Sequence, residues 1–133
     1  MMAIKAKIPR ALPHGAIINA CDNSGARLLK VITVHGHKTV RGRYEAGGIG
    51  DFISASVVDG KIEMRKTVVQ AIIVRQKKEF RRPNGWRVKF EDNAAVVLKD
   101  DAGNPKGTII KGPIPEELKD RWPALSKIAK IIV

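Results

Sequence analysis

Residues 67–74, TVVQAIIV, limit the possible folds more than any other stretch of the chain. The run is almost wholly apolar and largely β-branched. Such side chains are stiff at χ1 and suit an extended backbone. A strand with one wet face alternates apolar and polar residues. A run this uniform predicts a strand with much of both faces covered, as where a barrel wall is roofed by other elements. The other candidate strands are short: 16–21, 26–35 (holding Val31, Ile32 and Val34), 51–58, 61–64, 94–99 and 107–111. Between them stand turn residues. Asp22-Asn23-Ser24-Gly25 reads as a turn, Asp59-Gly60 as a hairpin and Pro83-Asn84-Gly85 as a second hairpin. Residues 36–50 read as a long loop. Many short strands with frequent glycine turns predict a mainly β fold, a small barrel or sandwich.

The tail has a different period. Pro115 suits a first helical position, and Glu116 and Glu117 suit the positive end of a helix dipole. Leu118, Trp122, Leu125, Ala129 and Ile132 form one apolar stripe at helical spacing. Pro123 interrupts it, so two short helices are expected. The organisation expected is one domain over residues 1–133. Residues 1–15 form a basic extended arm, 16–112 a β body carrying a basic hairpin at 75–89, and 113–133 a helical tail. The apolar runs are too short to span a membrane. Residues 1–10 lack the apolar core of a secretory signal. A single cysteine, Cys21, makes no internal disulfide, which points to the cytosol or an equally reducing compartment.

Charge narrows the function. The chain of 133 residues carries a net charge of +12. Residues 1–90 hold 18 Lys/Arg against 6 Asp/Glu, whereas residues 91–133 hold 7 of each. The whole imbalance therefore lies in the first two-thirds, and the last third is left for solvent or protein. An excess of this size exceeds what solubility asks and implies a polyanionic partner. It is densest from residue 75 to 89, with seven Lys/Arg and one Glu. In a hairpin, alternate residues lie roughly 7 Å apart, near the phosphate spacing of a nucleic-acid strand. Residues 86–90 alternate strictly. Trp86, Val88 and Phe90 are expected to face a core, with Arg87 and Lys89 outward. The expected RNA contacts are Arg27, Lys30, Arg41, Arg43, Arg75, Lys77, Lys78, Arg81, Arg82, Arg87 and Lys89.

Other chemistries find less support. Gly47-Gly48-Ile49-Gly50 lies beside Arg41 and Arg43, but no helix follows and no Walker lysine is present, so turn geometry is the expected use. His35 and His37 share a face without completing a zinc ligand set. Cys21 reads as a buried, inert thiol. Ser24 has no nucleophile elbow. Neither an enzyme nor a cofactor is expected. A free single-strand-binding barrel of the OB type is the alternative; it needs an exposed aromatic, with Trp86 or Phe80 stacking on an unpaired base.

One spacing has a known counterpart. Ala71-Ile72-Ile73-Val74, nine residues, Asn84-Gly85, four residues, Phe90, two residues, Asn93, two residues and Val96-Val97 resembles the signature of the universal large-subunit ribosomal proteins of the L-fourteen family. Asp22-Asn23-Ser24-Gly25-Ala26-Arg27, Gly48-Ile49-Gly50-Asp51, Arg81-Arg82-Pro83, Gly107-Thr108, Gly112-Pro113 and Glu117-Leu118 agree with it. The basic arm and Trp122-Pro123 are similar to the archaeal and eukaryotic branch. The resemblance implies a five-stranded β-barrel with a protruding β-ribbon and small C-terminal helices. It implies a cytoplasmic, ribosome-bound, non-catalytic protein that binds large-subunit rRNA. It also implies small-subunit rRNA at an intersubunit bridge, neighbouring large-subunit ribosomal proteins and the anti-association initiation factor six as partners.

Overall fold

The computed structural model describes residues 3–37 and 39–133; Lys38 of the long loop lies outside them. In chain order the elements are β1 (Leu12–Pro13), β2 (Ile17–Ala20), β3 (Ala26–Val34), β4 (Ala46–Gly47), β5 (Phe52–Gly60), β6 (Val68–Arg75), β7 (Phe80–Arg81), β8 (Arg87–Val88), β9 (Ala94–Leu98), β10 (Ile110–Ile114), α1 (Leu118–Arg121), α2 (Pro123–Ile128) and β11 (Ala129–Ile132). Strands β2, β3, β5, β6 and β9 close into a five-stranded barrel in that order. The seam is a parallel pairing of β2 with β9, Asn19 opposite Ala94 and Ala20 opposite Ala95. The other barrel pairings are antiparallel. Register shifts along β3–β5 supply the local bends that a small closed sheet needs.

The barrel has two apolar clusters, one inside and one outside its wall. Inside lie Leu29, Val31, Ile53, Ala55, Val57, Ala71, Ile73, Ala95 and Val97. The three alanines keep the narrow lumen fillable without overpacking. Outside, Ile72 and Val74 of β6 with Ala94, Val96 and Leu98 of β9 pack under Ile110, Ile114, Leu118, Trp122 and Leu125. Strands β6 and β9 are thus covered on both faces, as the composition of residues 67–74 predicts. Strand β5 alternates buried and more exposed positions through Val57, and beyond Phe52, which packs against Trp122, its other face is more exposed. The roof is pinned by a hydrogen bond from the Trp122 indole N–H to the Gly50 carbonyl at 2.8 Å.

Several expectations are corrected. Residues 61–64 form no returning strand. They coil into a turn, with the Met64 and Arg65 amides donating to the Lys61 carbonyl and Met64 buried against the barrel interior. The return is made by β6. Pro115 precedes the first helix; the proline that opens a helix is Pro123, at the start of α2. The apolar stripe does not stay helical. Ala129 turns extended at φ −77, ψ 135, and β11 pairs in parallel with β10. Ile131, Ile132 and Val133 are β-branched and favour that choice once β10 offers an edge. Residues 107–109 are likewise outside the strand, which starts at Ile110.

The two-sided burial of β6 has a direct test. Ile72→Ala removes a fully buried side chain from the outer cluster and is expected to cost about 2–5 kcal/mol. Val68→Ala, at an exposed position of the same strand, is expected to change stability by no more than about 0.5 kcal/mol. Urea midpoints of the two variants measure the contrast.

Candidate nucleic-acid interface

The basic hairpin is a short ribbon standing on the outer cluster. Strands β7 and β8 pair antiparallel, Phe80 opposite Val88 and Arg81 opposite Arg87. Phe80 is buried and Val88 packs beside it in the outer cluster. That inward pair fixes the ribbon's orientation. Because side chains alternate, Arg81 and Arg87 must then face solvent together. Residues 82–86 make the tip. The Gly85 amide donates to the Arg82 carbonyl at 2.9 Å, and the Asn84 side chain accepts from the Trp86 amide at 3.0 Å.

Like charges directly opposite on a ribbon repel. Arg87 is partly compensated by Glu79 at 3.1 Å. Among the described residues, Arg81 has no carboxylate within ion-pair distance and is not otherwise engaged through its side chain. Lys77, Lys78 and Lys89 are exposed at the ribbon's base. Elsewhere Arg27 stands 3.8 Å from Asp59 on an open surface. Lys30 projects from the uncovered wall, in register with Ile17 and Ser56. Arg41 and Arg43 are exposed in the loop, with Arg41 in the left-handed region at φ 59.

Two of the expected contacts are withdrawn. The Arg75 side chain is only 9% exposed. Its guanidinium donates to both oxygens of Asp92 at 2.9 and 3.1 Å and to the carbonyls of Lys111 and Pro113. Its donors are consumed inside the protein. Arg82 is likewise taken up. It donates to both oxygens of Glu117 at 2.6 and 3.2 Å and to the Val133 carbonyl at 2.6 Å. These two arginines bolt the ribbon and barrel to the C-terminal elements. Trp86 is the opposite correction. The alternation predicted a core residue, yet its side chain is 73% exposed at the tip. Phe90 is half-buried against the outer cluster, in line with packing. Two lysines of the arm, Lys5 and Lys7, come to lie beside Arg81 and join this surface. Their sequence marks them as basic but not which surface receives them.

The remaining candidates have internal uses. The amides of Gly48, Ile49 and Gly50 donate to Asp51, Gln76 and the Ile73 carbonyl, so this loop holds its own turn. His35 bonds Ser54 at 2.9 Å, and the His37 Nδ1 lies within hydrogen-bond distance of both the amide and the carbonyl of Ala46. Burial pushes the Cys21 thiol up to about 12, which leaves almost no thiolate at neutral pH. Alkylation of Cys21 is therefore expected only as fast as the chain unfolds, a rate that mass spectrometry follows.

Asp22 and Asp92 are shifted in opposite directions from the ordinary carboxylate value. Desolvation raises Asp22 despite hydrogen bonds from Ser24 and the Val97 amide. At Asp92 desolvation acts in the same direction, but hydrogen bonds from Arg75 and Asn19 outweigh it and its carboxyl titrates below its ordinary value. A depressed carboxylate lends stability above its unfolded pKa and loses it as pH falls through the folded one. Arg75 is buried but Asp92 is one-third exposed, so solvent screens the carboxylate left behind and Arg75→Ala is expected to cost about 1–3 kcal/mol, mostly from the unpaired polar groups. Asp92→Asn is expected to destabilise at pH 7 and to show a shallower loss of stability below about pH 4 than the unaltered protein. Denaturant titrations across pH check both.

Comparison with known proteins agrees with this geometry. The family model described as "Ribosomal protein L14p/L23e" matches residues 11–133. The chain is 54% identical to the "Large ribosomal subunit protein uL14" of Nanoarchaeum equitans, over all of both chains. It is 51% identical to the protein of that name from Methanothrix thermoacetophila, again over the full length of both. The Methanococcus maripaludis protein of the same name is 50% identical over 99% of each chain. A barrel roofed by its own C-terminal elements, a basic ribbon on that roof and a match over nearly the whole sequence lead to one conclusion: the chain belongs to the ribosomal protein L14p/L23e family.

Proposed function

We propose that this chain binds large-subunit rRNA through the outward face of the β7–β8 ribbon and the neighbouring open barrel wall. Its family is one of structural ribosomal components, so its role is structural within the large ribosomal subunit and not enzymatic. The observation that carries the RNA reading is the Arg81–Arg87 pair. Two arginines are fixed opposite each other on a solvent-facing ribbon by the packing of Phe80 and Val88 beneath them. That placement is costly alone and favourable beside a phosphate backbone. The residues assigned to phosphate contact are Arg27, Lys30, Arg41, Arg43, Lys77, Lys78, Arg81, Arg87 and Lys89. Arg and Lys would neutralise phosphates, release counterions and hold a folded RNA shape.

The finer partners belong to the same proposal. Small-subunit rRNA at an intersubunit bridge, neighbouring large-subunit proteins and the anti-association initiation factor six follow from the family likeness. The charge-neutral C-terminal third is the surface assigned to protein contacts. The ribosome in the cytoplasm is the corresponding location. Arm, barrel with ribbon and C-terminal segment act in this reading as parts of one unit.

Exposed Trp86 favours a second contribution, stacking of an unpaired base on the ribbon tip. Such stacking is worth about 1–3 kcal/mol per base. Two variants separate the terms. Arg81→Gln with Arg87→Gln is expected to flatten the dependence of log affinity on log salt by about 0.7–0.9 per phosphate lost, measured on transcribed large-subunit rRNA. Trp86→Ala is expected to lower affinity while leaving that slope alone. A salt-independent affinity of the unaltered chain would sink the electrostatic reading. A loss confined to Trp86→Ala, with the arginines silent, would favour the free single-strand-binding barrel.

A further inference from the structure

We propose that the N-terminal arm and the basic ribbon together form a composite cleft for the RNA phosphodiester backbone, a site that neither segment makes alone. This rests on the RNA reading above and adds a located subsite to it. The arm lies along the edge of β7. The Lys7 amide donates to the Arg81 carbonyl at 3.2 Å and the Arg81 amide returns a hydrogen bond to Lys7 at 3.4 Å, an antiparallel bridge. The arm alternates as a strand does. Ala6 and Ile8 pack on the outer cluster, and Ile4 is half-buried beside them. Lys5 and Lys7 are exposed while Ala6 between them is partly buried, so both side chains project outward from the bend at residues 5–6. With Arg81, Arg82 and Pro83 they line a recess of about 320 Å³.

The electrostatics of this recess are one-sided. Four of its lining residues are cationic, and no carboxylate among the described residues lines it. Arg82 is already neutralised by Glu117. Lys5, Lys7 and Arg81 make no ion pair among the described residues. Three uncompensated cations are held together by backbone bonding and apolar packing, against their mutual repulsion. An anion with two or more charged groups in succession fits that arrangement, and a run of RNA phosphates supplies them.

The loop read as a turn from sequence has a further use here. A Cβ on Gly48 would stand 2.7 Å from the Pro9 carbonyl and 3.0 Å from Ile8. A Cβ on Gly50 would collide with the Ile4 side chain. The two glycines leave the space in which the arm is seated. Arm position can therefore be altered without touching a charge.

The test measures binding of the full chain to transcribed large-subunit rRNA between about 50 and 200 mM salt. Each phosphate contact contributes about a threefold loss of affinity over that range. Lys5→Gln with Lys7→Gln is expected to lower affinity at 50 mM and to flatten the salt slope by about two contacts. Gly48→Ala is expected to flatten it similarly with all charges present, while the Lys7 amide loses its protection from hydrogen exchange. Three results overturn the cleft. The first is a steep slope in the unaltered chain that the lysine variant leaves unchanged, which keeps the ribbon reading. The second is an unprotected Lys7 amide in Gly48→Ala with the slope intact, which reduces the arm to diffuse charge. The third is an unaltered chain with no salt dependence, which removes the RNA reading as well.

Discussion

The structure depends on burial of both faces of β6 and β9. Ala71 and Ile73 fill the lumen while Ile72 and Val74, one residue away in each case, hold the roof. A barrel of five strands has too little interior to stabilise a chain of this length alone. The outer cluster supplies a second apolar layer and recruits the ribbon, α1, α2 and the β10–β11 pair. Each buried aliphatic side chain there contributes on the order of 1.5–3 kcal/mol relative to exposure. The ribbon stays upright because Phe80 and Val88 are part of that layer. The surface proposed to meet RNA is thus a by-product of apolar packing on its underside.

Arginine serves two ends within a few residues. Arg75 and Arg82 face inward, where their planar forks satisfy a carboxylate and backbone carbonyls at once. Arg81 and Arg87 face outward, with at most one carboxylate near them. Position, not residue type, divides internally bonded from solvent-facing arginines. The inner pair ties the ribbon to Asp92, Glu117 and the C-terminal strand. Preorganised cations lose less conformational entropy when a phosphate arrives.

The two-sided strand was legible because composition records how many faces of a strand are dry; that left barrel or sandwich open, and the five-stranded barrel was implied by the family resemblance. The turn at residues 22–25 was legible for a similar reason, since Asp22 bonds its own local backbone through Ser24. Partners remote in sequence were not. Arg75 finds Asp92 17 residues on and Arg82 finds Glu117 35 residues on, so a basic run reads as uniformly available when part of it is engaged. Trp86 misled because alternation predicts a packed face only where a strand exists. Strand β8 is two residues long and Trp86 belongs to the turn before it. The tail misled because the spacing of Leu125, Ala129 and Ile132 suits a helix, while the parallel partner that makes β11 a strand lies at residues 110–114. The arm's basic character was plain, but its seat beside Arg81 depends on contacts with Gly48 and Gly50 that no local pattern encodes.

The central claim is that the outward face of the ribbon meets RNA while its inward arginines stay within the protein. A density map of the large ribosomal subunit carrying this chain tests it most directly. Arg81 and Arg87 are expected within hydrogen-bond reach of rRNA phosphates, with Arg75 still on Asp92 and Arg82 still on Glu117. A ribbon whose arginine face meets protein or open solvent, or an Arg75 that has left Asp92 for a phosphate, would contradict it.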